Sequence, residues 1–381
     1  MDDEHLVLAG GGHTHALLLL RWALDPQLKP RGLITLVSLH TSTFYSGMIP
    51  GLMSGEYSLD DCLIDLYHLA NKAKISFVRS EIKGVSLSEN YLLLADRSPI
   101  YFDRLSLDIG SGIDTSNLKI EDTPKEHIMS VKPFSRVVSW LRKIDDNIQE
   151  SSNPLTIIGS GLSAIEIAFA LRKRWPNKKI QLQANSNRII TKLRHSLAQI
   201  DIEIVASSKN IKGQSLLCTG SKGFNWIKES GFPVDSSGRI LTSDTLQVVS
   251  HSQIFAVGDC GVIFNSFRPP SGVWAVKAAK ILSQNLQLCN RSLDPLSWKP
   301  QKRALQLVGG LEKSGEFTGW AFWGDFIIGP SPLLWSLKRF IDRKFISMFD
   351  IKLDMNSSHG QNNDLMECRG CAAKLKINNT F

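Results

Sequence analysis

Three short stretches carry residues whose types and spacing could do chemistry. In VLAGGGHTH, Gly10, Gly11 and Gly12 follow an apolar run, and in LTIIGSGLSAIEIA, Gly159, Gly161 and Ala164 follow another. Glycine turns between a strand and a helix hold the pyrophosphate of a dinucleotide. The first glycine permits the tight turn, the second lets backbone approach the phosphates, and a small third residue lets helix and strand pack closely. The helix start adds N–H donors and partial positive charge. In AVGDCG, Gly258 and Asp259 end a third apolar run, and a carboxylate there can accept hydrogen bonds from hydroxyl groups. The first turn departs from the pattern, because His15 stands where the third small residue belongs. That implies a slightly displaced helix with Gly10 and Gly12 still at the phosphate and His13 among the residues beside the cofactor.

These residues need elements to position them. Leu6–Ala9 reads as a buried strand and His15–Leu24 as a helix, and a second strand, Leu33–Ser38, ends in Ser38 where an acid would usually meet the adenosine ribose. Ser38 can hydrogen-bond a ribose but carries no charge. The second unit repeats the arrangement with strands at Leu155 and Ile180–Gln183; its acid position is also empty, with Asn185 and Arg188 nearby. Arg188 is either a partner for a 2′-phosphate or a solvated loop cation, so NADH and NADPH are not separated. Two nucleotide loops about 150 residues apart imply two dinucleotides and an α/β fold with two Rossmann-like domains.

With the three motifs in this order, the chain resembles the pyridine nucleotide-disulfide oxidoreductase superfamily of flavoproteins over about Leu6 to Leu288. The resemblance implies FAD at the first glycine turn, with Asp259 taking ribityl hydroxyls, and NADH or NADPH at the second. FDRLSLDIGS and SLLCTGS resemble the family's two interdomain crossovers and add Gly110 and Gly220 to the cofactor contacts. The implied boundaries are an FAD domain over 1–115 and 240–300, a shortened NAD(P)H domain over 116–239, a cap over 301–352 and a tail over 353–381. The chain is short between LRHSLAQIDIEIVASS and LLCTGS, where relatives add strands, so flavin binding is a firmer expectation than turnover with NAD(P)H.

Disulfide reductases of this group carry a redox cysteine pair that TSTFYSGMIPG lacks. The resemblance therefore narrows to type II NADH:quinone oxidoreductases, with Tyr45 and Pro50 beside the flavin. YSGMIPG also resembles a branch fused to or adjacent to selenophosphate synthetase (selenide, water dikinase). MECRGCAAKLKI resembles the start of that synthetase, with Cys371 and Lys374 at its catalytic positions. The alternative reading is a disordered tail with one CxxC, or half of a zinc site.

The same resemblance places Glu166 at the nicotinamide, in a positioning role. It places Gly272, Val273, Trp274 and Lys277, in RPPSGVWAVKAAK, around the flavin and a quinone-like acceptor, which makes Glu166 and Lys277 the catalytic candidates. His13 and His15, two apart, point to different helix faces, and no metal site is expected. Ser331 to Phe349 reads as a helix with Leu334, Leu337, Ile341, Phe345 and Met348 at helical spacing and Lys338, Arg339, Arg343 and Lys344 on other faces. Such a helix either lies on an anionic membrane or packs on the FAD domain.

The composition is ordinary for a globular protein of 381 residues, 43% hydrophobic and 21% charged. The net charge of +8 is dispersed, which argues against a nucleic-acid partner. The acidic start and dispersed cysteines suggest a cytoplasmic, reduced protein, with a peripheral membrane contact as the variant reading. Two other functions stay open: oxidation of a sulfide or selenide species, for which Cys218 and Cys260 are the core candidates, and a non-catalytic flavin-binding partner of the synthetase.

Overall fold

A computed structural model describes residues 4–119, 124–146, 154–185, 191–208 and 213–350. Arg188 and the tail with Cys368, Cys371 and Lys374 lie outside the described residues. The opening strand, His5–Ala9, is all but buried, as its continuous apolar run requires for a strand covered on both faces. It pairs in parallel with Leu33–Ser38 on one side (Leu6 opposite Ile34) and with Arg104–Leu107 on the other (Leu6 opposite Arg104). Ser76–Arg79 extends the first flank, and His251–Ala256 extends the second. Short strands at Gln247–Val248, Ile240–Thr242 and Gly261–Ile263 complete an eight-stranded sheet. The sheet thus draws strands from both sides of an insertion.

The insertion forms its own parallel sheet of five strands, in the order Ile128–Ser130, Ser215–Leu217, Leu155–Ile158, Ile180–Ala184 and Ile202–Ala206. Chain leaving the first sheet and chain returning to it meet as a two-stranded ladder, Gly112 opposite Lys222. The mixed eight-stranded sheet and the parallel five-stranded one each carry a glycine turn and helix after an interior parallel strand, His13–Leu24 in the first and Leu162–Arg174 in the second. This is an α/β architecture with two Rossmann-like sheets, each with a glycine turn leading from strand to helix.

A three-stranded antiparallel sheet (Gln306–Leu311, Phe317–Trp323, Phe326–Ser331) follows, and the chain then enters the C-terminal helix Pro332–Ser347. Ser331 caps that helix, accepting from Leu333 N at 3.3 Å, with Pro332 in the first turn. Its inward face differs from the sequence expectation. Trp335, Lys338, Asp342 and Phe345 are buried, whereas Leu337, Ile341 and Met348 are exposed. The i, i+4 pair Lys338–Asp342 can enter because each supplies the other's counter-charge at 2.8 Å. Among the described residues no helix is long and apolar enough to cross a membrane, and Cys62, Cys218, Cys260 and Cys289 are free thiols.

Candidate cofactor and electron-transfer site

The first glycine turn is built around Asp108, the residue that ends the neighbouring strand. Gly10 has φ +96°, and a Cβ there would lie 2.4 Å from the Asp108 carbonyl oxygen, so only glycine fits. Gly12 N donates to that carbonyl at 3.0 Å. The Asp108 carboxylate turns under the helix and accepts from His15 N at 2.9 Å, capping the positive helix end from another strand. A Cβ on Gly12 would lie 2.3 Å from Asp108 Cγ, and one on Gly258 would lie 2.3 Å from Asp108 Oδ1. Gly12 and Gly258 are therefore glycines because this carboxylate sits between them. That corrects the simpler view of Gly12 as clearance for phosphate alone. The first N–H groups of an α-helix have no partner within it, and this helix begins at His13 with no side-chain cap from Gly12.

His15 is fully buried. Its Nδ1 lies 2.7 Å from the Gly10 carbonyl and its Nε2 lies 2.8 Å from Ser106 Oγ. A carbonyl can only accept, so Nδ1 carries the proton and the serine hydroxyl donates to Nε2. Burial holds His15 below the ordinary histidine pKa, against the pull of Asp108, and keeps it neutral. The ring fastens the glycine turn to the next strand in place of the missing small residue. Replacing His15 with glycine is expected to leave two buried polar groups orphaned and a cavity, at about 3 kcal/mol in stability. FAD should still bind; loss of flavin from a variant with an unchanged circular dichroism spectrum would make His15 a direct ligand.

Other first-loop residues cluster above the turn. Ser38 Oγ donates to the His40 carbonyl at 2.9 Å, so its hydroxyl proton is already committed. His13 Nε2 accepts from Ser46 N at 3.3 Å, and its ring meets Tyr45 edge-on at 5.8 Å. Tyr45 stacks on Phe345 of the C-terminal helix at 4.3 Å, and its hydroxyl donates to Asp342. Pro50 lies in the first turn of the short helix Ile49–Ser54. A Cβ on Gly47 would strike the Tyr45 ring at 2.7 Å and Asp342 Oδ1 at 2.8 Å, so glycine makes room for that contact.

In the second loop, Gly159 has φ +156°, and its Cβ would fall 2.4 Å from the Cys218 carbonyl oxygen. Ala164 is fully buried against that turn. Gly161 faces open space, with no atom within 4 Å of where a Cβ would stand. That clearance suits the close approach of a dinucleotide backbone. Gly110 (φ +70°) and Gly220 (φ +106°) form the crossovers with the same open surroundings.

Glu166, one turn along the second loop's helix, enters a buried cluster. Its Oε1 accepts from Gly309 N at 2.6 Å and lies 3.8 Å from Lys338 Nζ. Lys338 donates to the Gly47 carbonyl at 2.7 Å and to Asp342 at 2.8 Å. Burial raises the Glu166 carboxyl, with Lys338 opposing. Burial also works against the Lys338 charge, but Glu166 and Asp342 outweigh it and hold the ammonium above its ordinary range. The lysine beside Glu166 is thus Lys338, not Lys277, which is exposed and bonds Gln301. The sequence signal for it is the i, i+4 spacing of Lys338 and Asp342 on the C-terminal helix. Trp274 turns under the Arg268 guanidinium at 5.1 Å and lines a cavity of about 50 Å³ with Trp298 and Pro300. Val273 N donates to its cap, Ser271 Oγ, at 3.3 Å, while a Cβ on Gly272 would stand 3.6 Å from Ser46 Oγ. Asp259 accepts from Lys132 Nζ at 2.7 Å. Cys218 and Cys260 are thiols pushed up to about 12, chiefly by burial, and are not nucleophiles at neutral pH.

No family model matches the chain. It is 21% identical over 374 residues to the NADH dehydrogenase-like protein YutJ of Bacillus subtilis, covering 91% of this chain and 98% of that one. It is 27% identical over 302 residues to a probable NADH dehydrogenase of Dictyostelium discoideum, covering 65% of each. Among solved structures, NDH2 from Plasmodium falciparum in complex with NADH superposes with a TM-score of 0.71 at 12% identity, covering 91% of this chain and 97% of that one.

Proposed function

We propose that the protein is an FAD-dependent NAD(P)H oxidoreductase that delivers electrons to a quinone-like small acceptor. One observation carries the reading: the two nucleotide loops open onto one cluster. His13, at the start of the first helix, touches Tyr45; Tyr45 holds Asp342; Asp342 holds Lys338; and Lys338 faces Glu166 on the second helix. Two dinucleotides bound at those loops would bring their reactive ends to a common place.

The residues fit FAD at the first loop, where Gly10 admits the tight turn, the helix end offers N–H groups, and Asp259 offers hydroxyl acceptors. When bound, FAD supplies two-electron transfer from the nicotinamide to the acceptor. Glu166, buried and held by Gly309 N, would fix the nicotinamide carboxamide. Lys338, whose ammonium is held by Gly47, Asp342 and Glu166, would add fixed positive charge beside an acceptor gaining electrons. The outward face of the C-terminal helix, with Leu333, Leu337, Phe340 and Ile341 exposed beside Arg343 and Lys344, suits rest on an anionic lipid surface where a quinone dissolves. The NADH dehydrogenase names of the relatives support the donor side of this reading.

Anaerobic stopped-flow mixing of the FAD-loaded protein with NADH and with NADPH tests it. Rapid bleaching of the flavin's visible absorbance by at least one of them is expected. Flavin that stays oxidised with both would overturn the reading and leave a flavin-binding partner protein.

A further inference from the structure

We propose that Lys132 is the cation of the FAD site, a residue that sets both the affinity for the flavin and its reduction potential; this rests on the FAD reading above. Lys132 precedes the helix Phe134–Asp146 and belongs to the inserted nucleotide-binding part of the chain. Its Nζ reaches out of that part to Asp259 Oδ2 at 2.7 Å and to Ser111 Oγ at 3.0 Å, with Ser221 Oγ at 3.5 Å. Ser111 follows Gly110 at the first crossover, and Ser221 follows Gly220 at the second. One ammonium thus meets both crossovers and the Gly258–Asp259 motif.

The charge balance gives this position its purpose. His13, the first residue of the phosphate-binding helix, lies within electrostatic reach of Asp108, Asp259 and Lys132. Two carboxylates beside a turn built for a dianionic pyrophosphate would repel it. The imidazoles do not offset them, because burial holds both His13 and His15 below the ordinary histidine range, with the nearby carboxylates opposing. Lys132 supplies the compensating charge. Its side chain is 37% exposed and that of Asp259 23%, so the pair faces the opening and is within reach of a ligand. Reduction adds negative charge to a bound flavin, and a fixed cation favours the form that carries it. The Lys132 N–H aimed at Ser221 Oγ, at 3.5 Å the longest of the three bonds, is the one most readily turned to the ligand.

The test uses the full chain as wild type, Lys132→Met and Lys132→Arg. FAD affinity is measured by fluorescence titration of the apoprotein, and the two-electron midpoint potential by equilibration with redox dyes. Lys132→Met is expected to bind FAD at least tenfold more weakly and to lower the potential by about 30 mV, the equivalent of a tenfold change for two electrons. Lys132→Arg should recover most of both. Should the methionine variant be unstable, Lys132→Gln keeps hydrogen bonding to the serines without the charge and carries the same expectation. An unchanged potential in the neutral variants, whatever their affinity, overturns the proposal and leaves Lys132 as a clasp between sheets. A wild-type chain that takes up no FAD overturns the FAD reading itself, and this inference with it.

Discussion

Lys338→Met is expected to melt roughly 5 °C below the wild type and to lose most of its NAD(P)H-dependent turnover. The side chain of Lys338 is only 8% exposed, and it stands between Glu166 and Asp342, whose side chains are 13% and 6% exposed. Removing it leaves two carboxylates in a poor solvent with no counter-charge, a loss of about 3–5 kcal/mol for a broken buried pair. For a chain of 381 residues, at about 2.1 cal/mol/K of unfolding entropy per residue, each kcal/mol moves the midpoint by about 1 °C. The sign of the pH dependence follows. Without the ammonium both carboxyls rise further, and a protonated carboxyl no longer needs a partner, so the deficit should shrink as pH falls. Lys338→Met combined with Asp342→Leu removes a charge of each sign and should recover part of the stability. A single variant that melts with the wild type by scanning calorimetry would refute the buried cluster.

Gly12→Val and Gly161→Val are expected to separate the two cofactor sites. Both backbones have ordinary negative φ, −69° and −84°, so the difference lies in what a side chain would meet. At Gly12 the new Cβ lies 2.3 Å from Asp108 Cγ, and Asp108 is only 2% exposed and tied to His15 N. The helix must shift or the carboxylate must leave, and either dismantles the turn. FAD affinity should fall at least a hundredfold, about 2.7 kcal/mol. At Gly161 the Cβ meets nothing in the chain, so the fold and the bound flavin should survive. The branched side chain would instead occupy the nucleotide's space, and flavin reduction by NAD(P)H should fall by a similar factor. A Gly12→Val protein that purifies yellow, or a Gly161→Val protein reduced as fast as wild type, would count against the assignment of that loop.

The two glycine turns, the strands and helices flanking them, and the α/β class were legible in the sequence because each depends on local pattern. An apolar run of four or five residues, glycines at a turn and a helical repeat lie within about twenty consecutive positions, where backbone preference and burial act together. The charged partners of the site were not legible in this way. The sequence places Lys338 on a face of the C-terminal helix away from its apolar positions and points to Lys277 as the catalytic lysine, because spacing along a helix tells which residues share a face but not which face turns inward. The C-terminal helix buries Lys338 because Glu166, 172 positions earlier in the chain, and the Gly47 carbonyl await it there. Asp108 and Lys132 carry no local pattern that marks them, for the same reason. The carboxylate gains its role only when Gly12 and Gly258 close on it from distant segments, and the ammonium only when two crossovers converge. Local hydrophobic and turn chemistry thus determined the scaffold and its phosphate-binding turns. Which charges face one another was left to the tertiary structure, because a buried charge is tolerated only where the fold brings its partner.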